Sequence, residues 1–187
     1  GIDILISQED FRNQRNFFCG KTKSNYRDVV NYLVKEIEIY PINFIKNSGL
    51  KYVMICEKIQ DETLGFEPGG LAPGHVDQSP GVFYLNLSVL NKYKNPKIKE
   101  ETVKVLFHHE YYHIIDSSLS LMQLDEKWEK INKVAYTNKP MLDGWGIDTS
   151  VEGFISQYAR NNSAEDKAEL FTFMISDHRA FKKEIFK

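Results

Sequence analysis

Hydrophobic residues recur at helical spacing near the start of the chain. Residues 25–38 read NYRDVVNYLVKEIE, and their apolar positions lie three or four residues apart, as on one face of an amphipathic helix. These positions are Val29, Val30, Leu33, Val34 and Ile37. Ser24 stands where an N-cap is expected, and Pro41 interrupts the helix. Two short runs, residues 51–59 and 82–87, are rich in β-branched and aromatic residues and predict strands.

Residues 64–81 separate the two predicted strands and contain five glycines and three prolines. This composition predicts an irregular segment, and loops of this length inside a compact domain tend to have a function. His75 in this loop is a candidate substrate contact, although a solvated loop histidine is the more common case.

A long helix is predicted after the loop. Asn95 is a good N-cap, Pro96 suits the first turn, and no helix breaker follows from Ile98 through Ile115. Apolar residues cover more than one stripe of this helix, so we expect it to run through the interior between two layers. They are Val103, Val105, Leu106, Phe107, Ile114 and Ile115.

Helices also dominate the last third of the chain. A helix is predicted over 125–135, an irregular stretch over 136–153, and a final helix from about Ser163, where SAED has the form of a capping box. The order of elements predicts an α+β fold with a small mixed sheet lobe, at about 24–116, and a helical lobe at 117–187. We expect both lobes to belong to one domain spanning residues 1–187.

Composition excludes several classes of function. The net charge is −2, and the 24 basic residues are scattered, so no nucleic-acid partner is expected. No run reaches about 18 apolar residues, which excludes a membrane span, although a lipid anchor or signal peptide upstream of Gly1 is compatible with the sequence. Cys19 and Cys56 form neither a disulfide framework nor a four-cysteine metal site, and we expect them to be unpaired.

The stretch FHHEYYHIID, residues 107–116, contains three of the five histidines. His109 and His113 are four residues apart, so on a helix both imidazoles project from one face and can bind one metal ion. Glu110 between them matches the H-E-x-x-H pattern, in which the glutamate takes a proton from a metal-activated water. On an exposed helix the same residues would be solvated neighbours, but burial on this apolar helix would be costly without a partner such as a metal.

The neighbours of this motif have different expected roles. His108 points about 100° away from His109 and is expected to be a core residue or a residue supporting the site. Asp116 shares the helix face but lies a turn away from the metal, so we expect it to accept a hydrogen bond from a ligand histidine. A ligand six residues after His113 would be Leu119, which cannot bind zinc.

A catalytic zinc with two histidines needs a third protein ligand. Glu165 and Glu169 lie four residues apart in the predicted final helix, and Glu165 near its start is the preferred candidate. The alternatives Glu169, Asp116, Glu152 and His178 remain open at this stage, and Glu169 is otherwise expected to be a supporting or surface acid.

The segment FISQYARNNSAEDKAELFTFMISDH resembles the closing part of the lethal-factor-like zinc peptidases, which include the clostridial Pro-Pro endopeptidases. In that family a tyrosine stands seven residues before the zinc-binding glutamate, and an alanine-acid pair follows four residues later. The corresponding residues here are Tyr158, Glu165 and Ala168 with Glu169, and Asp116 also fits the family pattern. The chain is similar as well to zinc metallohydrolase lipoproteins of gut Bacteroidetes.

The resemblance implies a zincin-like fold with the active-site helix between the lobes, and a gluzincin-type zinc metallopeptidase. Glu110 would be the general base and Tyr158 the oxyanion donor in hydrolysis of a peptide or protein substrate. Tyr111 and Tyr112 stand where the family often has a small residue, which we expect to alter the floor of the cleft. A secreted, monomeric protein of the extracellular space or cell envelope is expected.

Two other functions fit the same metal ligands. One is a noncatalytic zinc-containing binding module, against which the presence of Glu110 argues, and the other is a zinc hydrolase of a non-peptide amide or ester. An extended substrate would add to a sheet edge, supplied by residues 82–87 or the adjoining loop. Trp145 is a candidate for lining a side-chain pocket, with buried packing as the more common role.

Overall fold

The computed structural model describes residues 2–12, 17–62, 64, 66–72, 81–119, 125–132, 134–137 and 150–176. The chain divides into two units, Gly1–Leu119 and Ser120–Lys187, and each is described by itself. The first unit contains strands, and both units contain helices, so the fold mixes α and β structure as the sequence predicts. No helix in these ranges combines the length and the apolar character needed to cross a membrane.

A four-stranded sheet forms the centre of the first unit. Strands β1 (Asp3–Ile6), β4 (Tyr52–Cys56) and β7 (Val82–Asn86) run parallel, and β6 (Gly70–Leu71) pairs antiparallel with β7. The order across the sheet is β1-β4-β7-β6, so β6 is the last strand on one side. The strands predicted over 51–59 and 82–87 are confirmed as β4 and β7, and both have largely buried side chains.

Strand β6 lies inside the glycine-rich segment that the sequence predicts to be irregular, and that prediction is wrong for these two residues. Three hydrogen bonds hold the segment against β7. The backbone N–H of Asn86 donates to the Gly69 carbonyl at 2.9 Å, and the Asn86 amide Nδ2 donates to the Pro68 carbonyl at 2.9 Å and to Glu67 Oε1 at 3.3 Å. A buried asparagine therefore orders a sequence whose composition disfavours a strand. His75 lies outside the described residues.

A second, antiparallel sheet contains β2 (Phe11–Arg12), β3 (Phe17–Cys19) and β5 (Ile59–Asp61) in the order β2-β3-β5. It contributes to a buried cluster with Phe17, Ile59 and Tyr84, in which Cys19 and Cys56 form a disulfide with a Cα–Cα distance of 5.3 Å. The expectation of unpaired cysteines is therefore wrong. The two residues are 37 positions apart in sequence, and tertiary structure brings the ends of β3 and β4 together.

Helix α1 (Arg27–Glu38) confirms the first predicted helix, and α2 (Ile42–Asn47) begins directly after Pro41. Ser24 does not cap α1, because its hydroxyl donates to Glu57 Oε1 at 2.5 Å. The Asn25 side chain instead accepts a hydrogen bond from the Arg27 N–H at 3.1 Å. The predicted apolar face is also shifted, since Val29 and Leu33 are buried while Val34 is 38% exposed.

Helix α4 (Pro96–Ser118) follows the short helix α3 (Leu87–Leu90) and begins as predicted. The side chain of its N-cap, Asn95, accepts a hydrogen bond from the Lys97 N–H at 2.9 Å. Residues 106–111 are buried without interruption, which covers more than one helical turn. The middle of α4 is therefore buried on all sides, and its polar residues there need partners inside the protein.

The second unit contains α5 (Asp125–Glu129), a 3₁₀ helix (Tyr158–Arg160) and α6 (Ser163–Ser176), around a small core. That core contains Phe154, Ile155, Ala159 and Phe173. Helix α5 is shorter than the predicted 125–135. The start of α6 is confirmed, but the capping side chain is Asn162, whose Oδ1 accepts from the Glu165 N–H at 3.0 Å.

The disulfide leads to a prediction about thiol chemistry and stability. Unfolded, unreduced protein should show no thiol that reacts with a maleimide, and reduction should release two. Cys19→Ser with Cys56→Ser should lower the free energy of unfolding by about 4 kcal/mol, because a loop of this length is no longer closed in the unfolded chain. Denaturant unfolding measures this loss, and two reactive thiols before reduction would contradict the bond.

Candidate metal centre and active site

Two histidines of α4 face each other one helical turn apart. His109 is 1% exposed and His113 is half-buried. Their Nε2 atoms lie 3.2 Å apart, and their rings are nearly perpendicular at 80°. The i to i+4 spacing on a regular helix produces this approach, as the sequence predicts.

This spacing fits a zinc ion as a shared partner. Two imidazole nitrogens at a zinc–nitrogen distance of about 2.05 Å and a tetrahedral angle would lie about 3.3 Å apart. The observed Nε2–Nε2 distance is 3.2 Å. No backbone change is needed to bring these two nitrogens onto one ion.

Glu110 lies between the two histidines in sequence and next to strand β6 in space. The residue is buried, with 8% of its surface exposed. An ideal Cβ placed on Gly70 would come within 3.3 Å of Glu110 Cγ and 2.9 Å of Phe83 Cε2. The glycine therefore allows the last strand of the sheet to pass directly beside the glutamate. The sequence shows a glycine pair here, but its contact with Glu110 depends on the tertiary fold.

The third histidine of this stretch, His108, contacts α1 and the residues just after it. His108 is fully buried, its Nε2 lies 3.0 Å from Glu36 Oε2 of α1, and its Nδ1 lies 2.6 Å from the Tyr40 hydroxyl. Burial raises the pKa of Tyr40, so the phenol keeps its proton and donates to Nδ1. The imidazole then donates from Nε2 to the carboxylate. The expectation that His108 is a core residue is confirmed, while its partners Glu36 and Tyr40 were missed.

The two tyrosines inside the motif differ in burial. Tyr111 is fully buried and packs on the same side as His108, stacked on Phe107 at a ring distance of 5.4 Å and edge-on to Tyr40 at 5.0 Å. It belongs to the aromatic core, so the expectation that it alters a cleft floor is wrong. Tyr112 is half-buried.

The preferred third ligand, Glu165, lies in the first turn of α6 and is half-buried. The ligand-type atoms of His109, His113 and Glu165 all lie within 4.8 Å of one another. Two imidazole nitrogens and one carboxylate oxygen form the donor set that a catalytic zinc site uses. In the described part of the chain, these three residues are the group that could hold a metal ion.

The other candidate acids differ in burial. Asp116 and Glu169 are buried, whereas Glu152 is exposed. Glu169 is therefore not a surface acid. Its Oε2 accepts a hydrogen bond from the Ser156 hydroxyl at 2.7 Å. His178 and Trp145 lie outside the described residues.

Tyr158 is the first residue of the 3₁₀ helix and is half-buried. The backbone beside it is anchored by Ser156, whose Oγ accepts from the Ala159 N–H at 3.0 Å while donating to Glu169. The buried acid of α6 thus fixes the short helix that contains the tyrosine. The family resemblance indicated Tyr158 and Glu169, but not the serine that connects their two elements.

Comparison with known proteins adds an independent finding. Residues 75–187 match a family described as "Putative zinc-binding metallo-peptidase", and this range contains both histidines, Glu110 and Glu165. No curated protein and no solved structure matches the chain. The match covers more than half of the sequence and coincides with a residue group suited to zinc. The chain therefore belongs to this family of zinc-binding metallopeptidases.

Proposed function

We propose that the protein is a zinc-dependent endopeptidase of the H-E-x-x-H gluzincin type, with a zincin-like fold, and that His109, His113 and Glu165 bind the metal. The observation that supports this proposal is the grouping of the three ligand-type atoms within 4.8 Å. Membership of a peptidase family implies a peptide substrate. Two neutral imidazoles and one carboxylate leave a bound dication with about one net positive charge.

Zinc in this site would acidify a water molecule and polarise the carbonyl of the substrate. Glu110 follows His109 on the same helix and is the proposed general base. In its ionised form it takes a proton from the attacking water and then delivers that proton to the leaving amine.

Tyr158 is the proposed donor to the oxyanion that forms when the peptide carbonyl is attacked. Asp116 and Glu169 are proposed supporting acids. For Glu169, the support is its hydrogen bond to Ser156, which anchors the helix that contains Tyr158. A tyrosine held by such a short anchored element would keep its hydroxyl in a defined position, as an oxyanion donor requires.

Strand β6 is the proposed binding edge for an extended substrate. It pairs with β7 on one side, and its Gly70 lies beside Glu110. A peptide that adds to this strand by backbone hydrogen bonds would present its chain next to the general base. Strand β7 cannot serve in this way, because β4 and β6 occupy both of its sides.

We also propose a single catalytic domain over residues 1–187 and a monomeric, secreted or cell-envelope protein. The Cys19–Cys56 disulfide supports this location, because such bonds persist mainly in oxidising compartments. Fractionation of the native producing cells, followed by detection of the protein in each fraction, tests the location.

Glu110→Gln should retain zinc and lose peptidase activity. The amide keeps the size of the side chain but cannot accept the proton of the attacking water, so turnover should fall on the order of 10² to 10⁴-fold. Zinc content by elemental analysis and cleavage of a quenched fluorescent peptide library measure the two effects. Glu101→Gln on the same helix is the control, because that side chain is 67% exposed.

Unchanged cleavage in Glu110→Gln would contradict the assignment of the base. Zinc retention in wild type without cleavage of any peptide would instead favour a binding module. Activity confined to amide or ester reporters would favour a hydrolase of non-peptide substrates.

Tyr158→Phe should lower kcat on the order of 10² to 10³-fold with little change in KM, because only the transition state carries the oxyanion. The control is Tyr93→Phe, since Tyr93 is an exposed tyrosine of the first unit. Steady-state kinetics on the best library peptide gives both constants. Equal kcat values in the two variants would remove Tyr158 from the mechanism.

Gly70→Ala should lower kcat/KM about 10-fold to 100-fold while zinc content stays unchanged, since the new methyl group presses on Phe83 and Glu110. Gly69→Ala is the matched control, because its Cβ would meet the flexible Leu106 side chain at 3.0 Å. Both variants should lose about 1–3 kcal/mol of stability from overpacking. The same kcat/KM in both would show that Gly70 has no particular effect on Glu110.

A further inference from the structure

Asp166, the residue after the proposed zinc ligand Glu165, is a buried carboxylate with three hydrogen-bond donors. It is 5% exposed. Its Oδ2 accepts from Trp128 Nε1 at 2.8 Å, from Asn132 Nδ2 at 3.1 Å and from the Tyr136 hydroxyl at 2.8 Å. These donors come from α5 and the segment after it, so a single atom of α6 connects α6 to both.

A buried carboxylate costs more desolvation free energy at this position than an apolar side chain would. Burial raises the pKa of Asp166, and the three hydrogen bonds oppose that shift by stabilising the charged form. Burial likewise raises the pKa of Tyr136, which therefore remains a donor. An apolar side chain could join two helices without the desolvation penalty of a carboxylate. What the carboxylate adds is direction, because hydrogen bonds depend on angle as well as distance.

Direction matters at this position because of helix geometry. Consecutive residues of an α-helix project about 100° apart and rise 1.5 Å, so fixing the azimuth of Asp166 also fixes that of Glu165. A rotation of about 10° would move a carboxylate roughly 6 Å from the helix axis by about 1 Å, whereas metal–ligand distances tolerate about 0.2 Å. A small rotation of α6 would therefore disrupt coordination.

We propose that Asp166 is a positioning residue for Glu165: its three hydrogen bonds fix the rotation of α6 at which Glu165 presents its carboxylate to zinc. The inference rests on the proposed zinc site. Two further contacts hold the first turn of α6. The Glu165 N–H donates to Asn162 Oδ1 at 3.0 Å, and Ser163 Oγ donates to Glu129 Oε1 at 3.3 Å. The second of these contacts also joins α6 to α5, because Ser163, three residues before Asp166, lies on the same side of the helix.

A double-mutant cycle on zinc affinity tests this inference. The full chain is prepared as wild type, Asp166→Asn, Glu165→Ala and the double variant, and zinc dissociation constants are measured by competition with a chelating dye. Asp166→Asn should weaken zinc binding about 10-fold, within the range for residues that support a ligand, and Glu165→Ala should weaken it more, by about 100-fold, because it removes the ligand itself. The double variant should bind zinc as Glu165→Ala does, because Asp166 acts only through Glu165.

Two additional variants separate positioning from general stability. Thr172→Ala removes a buried hydroxyl of α6 that donates to the Ala168 carbonyl at 2.7 Å, and it should lower the melting temperature without changing zinc affinity. Trp128→Phe removes one donor and leaves the carboxylate, so it should weaken zinc binding about 3-fold. This variant tests the inference even if Asp166→Asn does not fold.

The inference is overturned if Asp166→Asn binds zinc with the affinity of wild type. If Asp166→Asn does not fold, wild-type zinc affinity in Trp128→Phe overturns it instead. It is also overturned if Asp166→Asn weakens binding equally in the Glu165→Ala background. Failure of the proposed zinc site has a different signature: Glu165→Ala itself would then bind zinc with unchanged affinity.

Discussion

Burial of polar side chains in the middle of α4 is the constraint on which the rest of the structure depends. A polar group in a helix segment buried on all sides is costly unless it has a partner within the protein, because an unpaired buried group costs several kcal/mol. His108 meets this requirement through Glu36 and Tyr40. His109 and His113 point nitrogens at each other at a distance that suits one cation. The same helix is thus both a core element and the base of the candidate site.

Features encoded within one or two helical turns could be predicted from the sequence. Asn95 and Pro96 mark the start of α4, and the spacing of His109 and His113 places both imidazoles on one face. These signals act over three or four residues, which is the range of helix capping and of side-chain contacts along a helix. The resemblance implied Glu165 as the third ligand, and its carboxylate is grouped with the two histidines in the structure.

Features that depend on distant pairing could not be predicted. The Cys19–Cys56 bond joins positions 37 residues apart, and β6 lies in a glycine-rich segment that Asn86 bonds to β7. The start of α6 shows that local capping rules can also be ambiguous. The sequence NSAED contains two overlapping capping patterns, one from Asn162 to Glu165 and one from Ser163 to Asp166, and local rules do not choose between them. The structure has the first pattern, with Asn162 as the cap. The Asp166 carboxylate is buried and bound by side chains of another element, so it does not take part in the second pattern.

The two helices that supply the proposed ligands share one arrangement. His108 precedes His109 and bonds to α1, while Asp166 follows Glu165 and bonds to α5. Because neighbouring residues on a helix project about 100° apart, a polar residue gripped on the core side fixes the direction of its neighbour toward the site. Hydrogen bonds depend on angle as well as distance, so they restrain the rotation of a helix, and a metal ligand requires that restraint. Buried polar residues beside the ligands therefore add a rotational restraint of the kind that a metal site needs.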